Sequence, residues 1–548
     1  MQMKFQFTIA LVLLGTIGFT QKLKKADKAV IASLQNHIRF LADDKLEGRR
    51  AGSPGEALAA DYISKQFQLA GLQPKGEKNT WLQPFPINDG KEIKPATSLT
   101  INGTKLKLNS EYFPFVFSAN ASVEATPAIS LREYGVPWFI DLKDWIEDNS
   151  GNPHFDLSQK ISEQVNLVAS KGATALFLYN SSEKPDGLAF EPKNRTGTVK
   201  IPVIYLMPDA VKKYLSDASA SLETKLTVDI AEKVRTGHNV VGYLDNGAAN
   251  TVILGAHYDH LGHGQDGNSM VRNDFTQIHN GADDNASGIA ALIELAKMLK
   301  ASKLKSNNYL FIAFSGEELG LFGSKYFTEH PSVDLSKSDY MINMDMVGRL
   351  NDTTKVLTIG GVGTSPSWIS TISSVPNKYF VVKYDSSGTG PSDHTSFYRK
   401  DIPVLFFFTG AHRDYHRPTD DADKINYTGE YMIIKYIYAI IEKKNKGPKL
   451  VFAKTREPQT TPTRMNVTMG IMPDYTFGGT GVRVDGVTDN RPAQKAGLKV
   501  GDVIVQLGNH SVTSVESYVQ ALNNFKKGDF AKVKFKRGAE SLEATVQF

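Results

Sequence analysis

Thr251-Val-Ile-Leu-Gly255 is a short apolar run with His257 just beyond it. Tyr309-Leu-Phe-Ile-Ala-Phe314 is a second such run, followed by Glu317-Glu318, and Tyr340-Met-Ile-Asn-Met344 leads directly into Asp345. A fourth, Val404-Leu-Phe-Phe-Phe408, precedes a loop that carries His412 and His416. Runs of this length, rich in β-branched and aromatic residues and bounded by Gly or Ser, read as strands buried on both faces. Helical stretches such as Gly288-Ile-Ala-Ala-Leu-Ile-Glu-Leu-Ala-Lys-Met-Leu299 lie between them. Strands alternating with helices predict an α/β domain on a mostly parallel, mixed sheet flanked by helices. In such sheets ligands bind beyond the carboxyl ends of the strands, where all of these His, Asp and Glu residues fall.

The residue types narrow the chemistry. His257-Tyr-Asp259 and Gly281-Ala-Asp-Asp-Asn-Ala-Ser-Gly288 join Glu317-Glu318, Asp345 and His416 as a set of imidazoles and carboxylates. Zinc takes these donors, and a catalytic zinc site keeps one position open for water. Two ions held about 3.5–4 Å apart share a ligand, usually a carboxylate. Each piece alone has a plainer explanation. A His-X-Asp is commonly a surface or core pair, and Asp283-Asp284 suits a helix N-terminus by capping and dipole charge. Glu317-Glu318 can open a helix for the same reason, and Asp345 can be an ordinary turn residue. Capping does not account for all of them arriving in order at strand ends with a late His416. Which of Glu317 and Glu318 would hold metal is not set by the residues themselves, and such a site also accepts cobalt or manganese.

Six segments carry a resemblance: His257-Tyr-Asp259, Gly281–Gly288, Ser315-Gly-Glu-Glu-Leu-Gly-Leu-Phe-Gly-Ser324, Asn343-Met-Asp-Met-Val-Gly348, Ser392-Asp-His394 and Tyr415-His416. Together they resemble the co-catalytic zinc aminopeptidases, whose relatives include glutamate carboxypeptidase and the transferrin receptor. The resemblance implies two Zn2+ per chain, with Asp284 as the bridging ligand. It assigns His257 and Asp345 to one ion, Glu318 and His416 to the other, and makes Glu317 the general base. Asp259 would fix the ring of His257, as metal-bound imidazoles require, and Asp393 would support the site from behind. It also implies a cis peptide at Asp284–Asn285. Tyr415 matches the oxyanion donor of some relatives; the Tyr that others use falls here on Thr389.

The implied activity is hydrolysis of N-terminal residues from peptides. The other readings are a carboxypeptidase or a glutaminyl-cyclase-like enzyme on the same fold, or a non-catalytic binding ectodomain. The intact set of five ligands speaks against the cyclase and the ectodomain, and no Arg matches the carboxypeptidase role.

At 548 residues the chain has room for several domains. With no Cys it has no disulfides and no thiolate ligands, and its net charge of +5 is dispersed without a basic stripe, which disfavours nucleic-acid binding. Residues 1–20, with Lys4 and the apolar Phe5–Phe19, read as a signal peptide for export to the periplasm or medium, with no stable membrane span after its removal. Residues 21–111 read as the first part of the peptidase domain and 236–445 as its catalytic part. The Gly48-Arg49 loop between two early helices carries no assigned chemistry. Residues 112–235 read as an insert resembling a protease-associated, β-rich domain, on the unit Gln164–Tyr179 and the run Ile201-Pro-Val-Ile-Tyr205.

His260, His263 and His279, among Gly262, Gly264 and Gly267, read as a mobile loop at the cleft rim rather than as a third ion site. Residues 446–463 read as a linker. Residues 464–548 resemble a PDZ domain of the bacterial protease type, on Gly481-Val-Arg-Val484, Pro492–Asp502 and Val515–Leu522. Its peptide-binding loop would be Met469-Gly470-Ile471-Met472, capturing the C-terminus of a peptide or protein ligand. Such a linker predicts that truncation after Thr461 spares activity on small substrates.

Overall fold

The computed structural model describes residues 23–149, 157–192, 197–271, 276–455, 467–473, 480–488, 491–513 and 515–548. The expected export signal lies outside these residues, as does the 456–466 part of the expected linker.

The four apolar runs are the centre of a nine-stranded sheet. Asn307–Phe314, Asn250–His257, Ser338–Met344 and Val404–Phe408 lie side by side in that order, all parallel. Ile230–Leu244 adds antiparallel on one side and Val356–Gly360 antiparallel on the other, so the sheet is parallel at its centre and mixed outside it. Every residue of Asn307–Phe314 and Ser338–Met344 is buried, which is why these strands lack polar alternation.

Successive side chains serve opposite faces. Tyr309, Phe311 and Ala313 join the larger core with Val252, Leu254 and Tyr340; Leu310, Ile312 and Phe314 join the smaller with Ile253 and Met341. The larger core is closed by the helices Lys25–Leu41, Pro54–Leu69, Gly288–Ala301 and Tyr427–Lys444. Phe327 and Phe397, from Phe322–Glu329 and His394–Tyr398, close the other face. Pro54–Leu69 starts cleanly, with the Ser53 hydroxyl accepting from Glu56 N–H and Pro54 at a position where its missing N–H costs nothing. Among the described residues, no helix is long and apolar enough to cross a membrane.

Leu82–Ile93 and Ile230–Leu244 form a long antiparallel pair that leads out of the sheet and back. Between them sit two four-stranded sheets. One includes Ser98–Ile101 paired with Thr224–Val228; the other includes Trp138–Asp141, Leu176–Tyr179 and Val203–Leu206. The inserted body therefore begins before Tyr112, because Ser98–Ile101 already pairs with its last strand. A third body follows the nine-stranded sheet: Ile471–Pro473, Val482–Val487, Val503–Leu507, Phe530–Arg537 and Glu540–Gln547 in one sheet, with the helix Val515–Leu522. Ile471–Pro473 is the edge strand of that sheet.

Candidate metal centre and catalytic cavity

The parallel strands end together, and the His and carboxylate residues that follow them meet around Asp284. His257 Nε2 lies 3.4 Å from Asp284 Oδ1 and 3.3 Å from Asp345 Oδ1. His416 Nε2 lies 3.4 Å from Asp284 Oδ2 and 3.1 Å from Glu318 Oε2. Asp284 thus stands between two imidazoles, one oxygen toward each. Both rings are held the same way. His257 Nδ1 is 3.1 Å from the Asp259 carbonyl and His416 Nδ1 is 2.8 Å from the Asn268 carbonyl. A carbonyl only accepts, so each Nδ1 carries its proton and each Nε2 is turned inward on the carboxylates.

These groups are buried, and burial alone disfavours charge. It works to lower the basicity of His257 and His416, yet Asp345 and Glu317 around one, and Glu318 and Asp284 around the other, hold both well above the usual imidazole value. Burial pushes Glu317 well up, helped by Glu318 and Asp345. Asp284 is held well below the usual range in spite of its burial, by His260, His257 and His416. A pocket that gathers this many carboxylates around inward-turned imidazoles calls for positive charge, and its donor set of His nitrogen and carboxylate oxygen fits divalent cations of the zinc type.

The backbone loop that carries Asp284 is tightly specified. The Asp284–Asn285 peptide is cis. Asn285 donates to the Met344 carbonyl and accepts from Gly288 and Met346 N–H, which ties the loop to the end of Ser338–Met344. Gly288 has no alternative here: a Cβ would sit 2.4 Å from Asn285 Oδ1 and 2.5 Å from the Met344 carbonyl. From the other side, Asp420 Oδ2 accepts from both Asp283 and Asp284 N–H.

Arg49 supplies the deepest support. Its guanidinium is fully buried and donates to the carbonyls of Leu41, Tyr258, Asn280 and Gly281 at 2.5, 2.7, 2.6 and 3.0 Å. Burial lowers its pKa to about 10, with Asp284 and Asp259 opposing, so it stays charged at neutral pH. Glu47, Gly48 and Arg49 all take left-handed φ, of 46°, 65° and 47°, to bring it there, and a Cβ on Gly48 would meet the His279 carbonyl at 2.5 Å. The loop that carried no chemistry in the sequence is thus a structural pin.

Three further expectations are revised. The Asp259 carboxylate stands 3.8 Å from His257 Nδ1 and accepts instead from Glu317 N–H at 3.1 Å; it is the Asp259 carbonyl that orients the ring. The Asp393 carboxylate makes no hydrogen bond to the cluster. Its neighbour Ser392 does, donating to Asp345 Oδ2 at 2.7 Å. His260 is not at a rim: its side chain is fully buried, with Nδ1 2.8 Å from Glu318 Oε1 and 3.9 Å from Asp284 Oδ2. Its segment is tied down, His260 N–H to the Arg49 carbonyl and Gly262 N–H to that of Gly48. Only the Gly flanks suggested a rim; the run His257-Tyr-Asp-His260 was the available signal.

The cluster floors a cavity of about 230 Å³, into which Glu317, Asp345 and Tyr415 face. Tyr415 stacks on the His416 ring, centroids 3.9 Å apart and planes 19° from parallel. In the third body, Met469 is buried in the core and Gly470, with φ of 72°, gives its carbonyl to Thr488 N–H.

Residues 239–441 match the profile of peptidase family M28, and residues 454–548 that of a PDZ domain. The chain is 25% identical over 307 residues to the aminopeptidase YwaD of Bacillus subtilis, covering 53% of this chain and 62% of that one. It is 27% identical over 255 residues to leucine aminopeptidase 2 of Trichophyton rubrum, covering 41% and 48%. It thus spans about half to three fifths of these curated relatives. Among solved structures, an aminopeptidase from Aneurinibacillus sp. strain AM-1 aligns with a TM-score of 0.42 at 23% identity, covering 79% of this chain and 97% of that one. The chain thus joins a stretch similar to peptidase family M28, residues 239–441, to one that matches a PDZ domain, residues 454–548.

Proposed function

We propose that this chain is an exported, zinc-dependent aminopeptidase that removes N-terminal residues from peptides using two metal ions. The observation that carries the reading is Asp284, with one oxygen 3.4 Å from His257 Nε2 and the other 3.4 Å from His416 Nε2. One carboxylate between two imidazoles, each imidazole beside a further carboxylate, is the donor arrangement of a shared two-ion site. In this reading His257 and Asp345 hold one ion, Glu318 and His416 the other, and Asp284 both. The relatives' names support the aminopeptidase assignment over the carboxypeptidase and cyclase alternatives.

Metal ions held by these residues would supply Lewis-acid polarisation of the scissile carbonyl and acidify a bound water. Glu317 faces the cavity and accepts no hydrogen bond from the ligand imidazoles, its nearest oxygen being 4.0 Å from His257 Nε2. It is the general base, taking a proton during attack and returning it to the leaving amine. Asp259 holds Glu317 in place through its backbone N–H. Tyr415, which lines the cavity, would donate to the developing oxyanion. The inserted body, which we read as a protease-associated domain, would shield the site or select substrates, and the PDZ domain would bind peptide. Export rests on the apolar run Phe5–Phe19.

Metal content by elemental analysis, with release of amino acid from aminoacyl-anilides before and after chelation, tests the reading. About two metals per chain with chelator-sensitive release is expected. One metal without release would favour the cyclase or carboxypeptidase alternative, and no metal would end the catalytic assignment.

A further inference from the structure

The cavity over the metal cluster is closed by more than the peptidase domain. Ile471 and Pro473, on the edge strand of the PDZ sheet, line it together with the floor residues His257, Asp284 and His416. Residues two apart on a strand face the same way, so these two side chains form one apolar surface. Phe406, Phe408 and Met346 add apolar surface from the peptidase side. The two bodies also meet at a definite contact, Thr488 Oγ1 to Met270 Sδ at 3.3 Å. Met270 N–H donates to the His416 carbonyl, and Thr488 N–H to the Gly470 carbonyl. The peptide loop of the PDZ domain is therefore two residues removed from a cluster imidazole.

We infer that the PDZ domain is a built-in wall of the substrate pocket, and that Ile471 and Pro473 determine which side chain is accepted beside the scissile bond. The inference rests on the aminopeptidase reading. A PDZ edge strand usually recruits a peptide by adding it to the sheet through main-chain hydrogen bonds. Here one of the three residues is Pro473, which has no N–H to offer, so the strand is poor in donors and rich in apolar side chain. Placed over a hydrolytic floor, it accepts the chain's own substrate. The favoured substrates are peptides whose N-terminal residue is large and apolar, since that residue enters a chamber with charged groups only at its base.

The test uses the full-length enzyme and p-nitroanilides of Leu, Phe, Ala and Lys. The double variant Ile471→Ala with Pro473→Ala removes the wall. It should lower kcat/KM for Leu and Phe about 10- to 100-fold while changing Ala less than about threefold, the range that lost methylenes produce in an apolar pocket. Pro473→Glu should raise the Lys-to-Leu ratio by about tenfold or more. A Leu-to-Ala ratio within about twofold of wild type in both variants would overturn the inference and leave the aminopeptidase reading standing. Wild type silent on every anilide would sink that reading, and the inference with it.

A second measurement needs no activity. The chain has no Cys, so Met270→Cys and Thr488→Cys introduce its only thiols. A short bifunctional thiol reagent should join them within one chain, read by peptide mass. Failure to join, with both thiols reactive singly, would show that the domain does not sit on the cavity and would overturn the inference.

Discussion

The floor and the wall of one cavity are made in opposite ways. The floor is charged and, apart from Asp284 on the loop that opens Gly288–Ala301, its residues follow the ends of buried strands of one sheet: His257, Glu317, Asp345 and, after Val404–Phe408, His416. The wall is apolar, and part of it comes from the edge strand of another domain, at Ile471 and Pro473. A floor on rigid parallel strands keeps donor atoms in fixed positions, as chemistry requires. A wall on a separate body can change its side chains without disturbing that floor. The contrast predicts that substitutions in the floor stop turnover, while those in the wall redistribute it among substrates.

The largest effect should come from Glu317→Gln. It should cut kcat by about 10²- to 10⁴-fold on every anilide alike, with metal content unchanged by elemental analysis. A selective loss on one substrate would break the contrast. Next is Arg49→Met, which strands four carbonyls around a vacated charge. It should cost about 3–5 kcal/mol in a denaturant titration, and an unshifted midpoint would show that the floor does not depend on this pin. His260→Ala should weaken metal binding about 10- to 100-fold by chelator competition; no change would return His260 to a packing role.

The smallest effect belongs to the wall's own domain. Asp502 receives Arg537 Nε and the second guanidinium nitrogen at 2.8 Å each. Burial would raise its pKa, but Arg537 and Lys499 N–H prevail and hold it below the ordinary 3.8. The pair therefore stabilises fully above 3.8, and the gain disappears as pH falls through the lowered value. Asp502→Asn should destabilise the PDZ domain by about 1–3 kcal/mol near neutral pH and by much less in acid strong enough to protonate Asp502 in the folded state, read by thermal denaturation. Equal losses at both pH values would show that charge is not what the pair contributes.

The floor was legible in the sequence because His257, Glu317, Asp345 and His416 follow runs whose burial is visible as unbroken apolarity, while Asp284 was found through the segment Gly281–Gly288. The wall was not. Ile471 and Pro473 look like any edge strand, and the linker-like residues before them suggested a separable domain. Truncation after Thr461 should instead remove part of the cavity and change selectivity even toward small substrates. Supports that act on backbone were also hidden: Arg49 and Asp420 bind carbonyls and N–H groups, which every residue has, so nothing at Tyr258 or Asp284 announces them. The start of the insert was missed because Ser98–Ile101 finds its partner at Thr224–Val228, far along the chain.

Arg49 has a consequence for how the molecule is made. Of its four carbonyl partners only Leu41 is near in sequence; the others lie at Tyr258, Asn280 and Gly281. A ribosome finishes the first two helices and the whole inserted body before any of those three exists. The insert can fold as it emerges, since its strands pair among themselves. The helices ahead of it must wait with an unclothed guanidinium until the second half arrives. The cluster of imidazoles and carboxylates is complete only once His416 has been added, and the cavity above it only once Ile471 and Pro473 have followed.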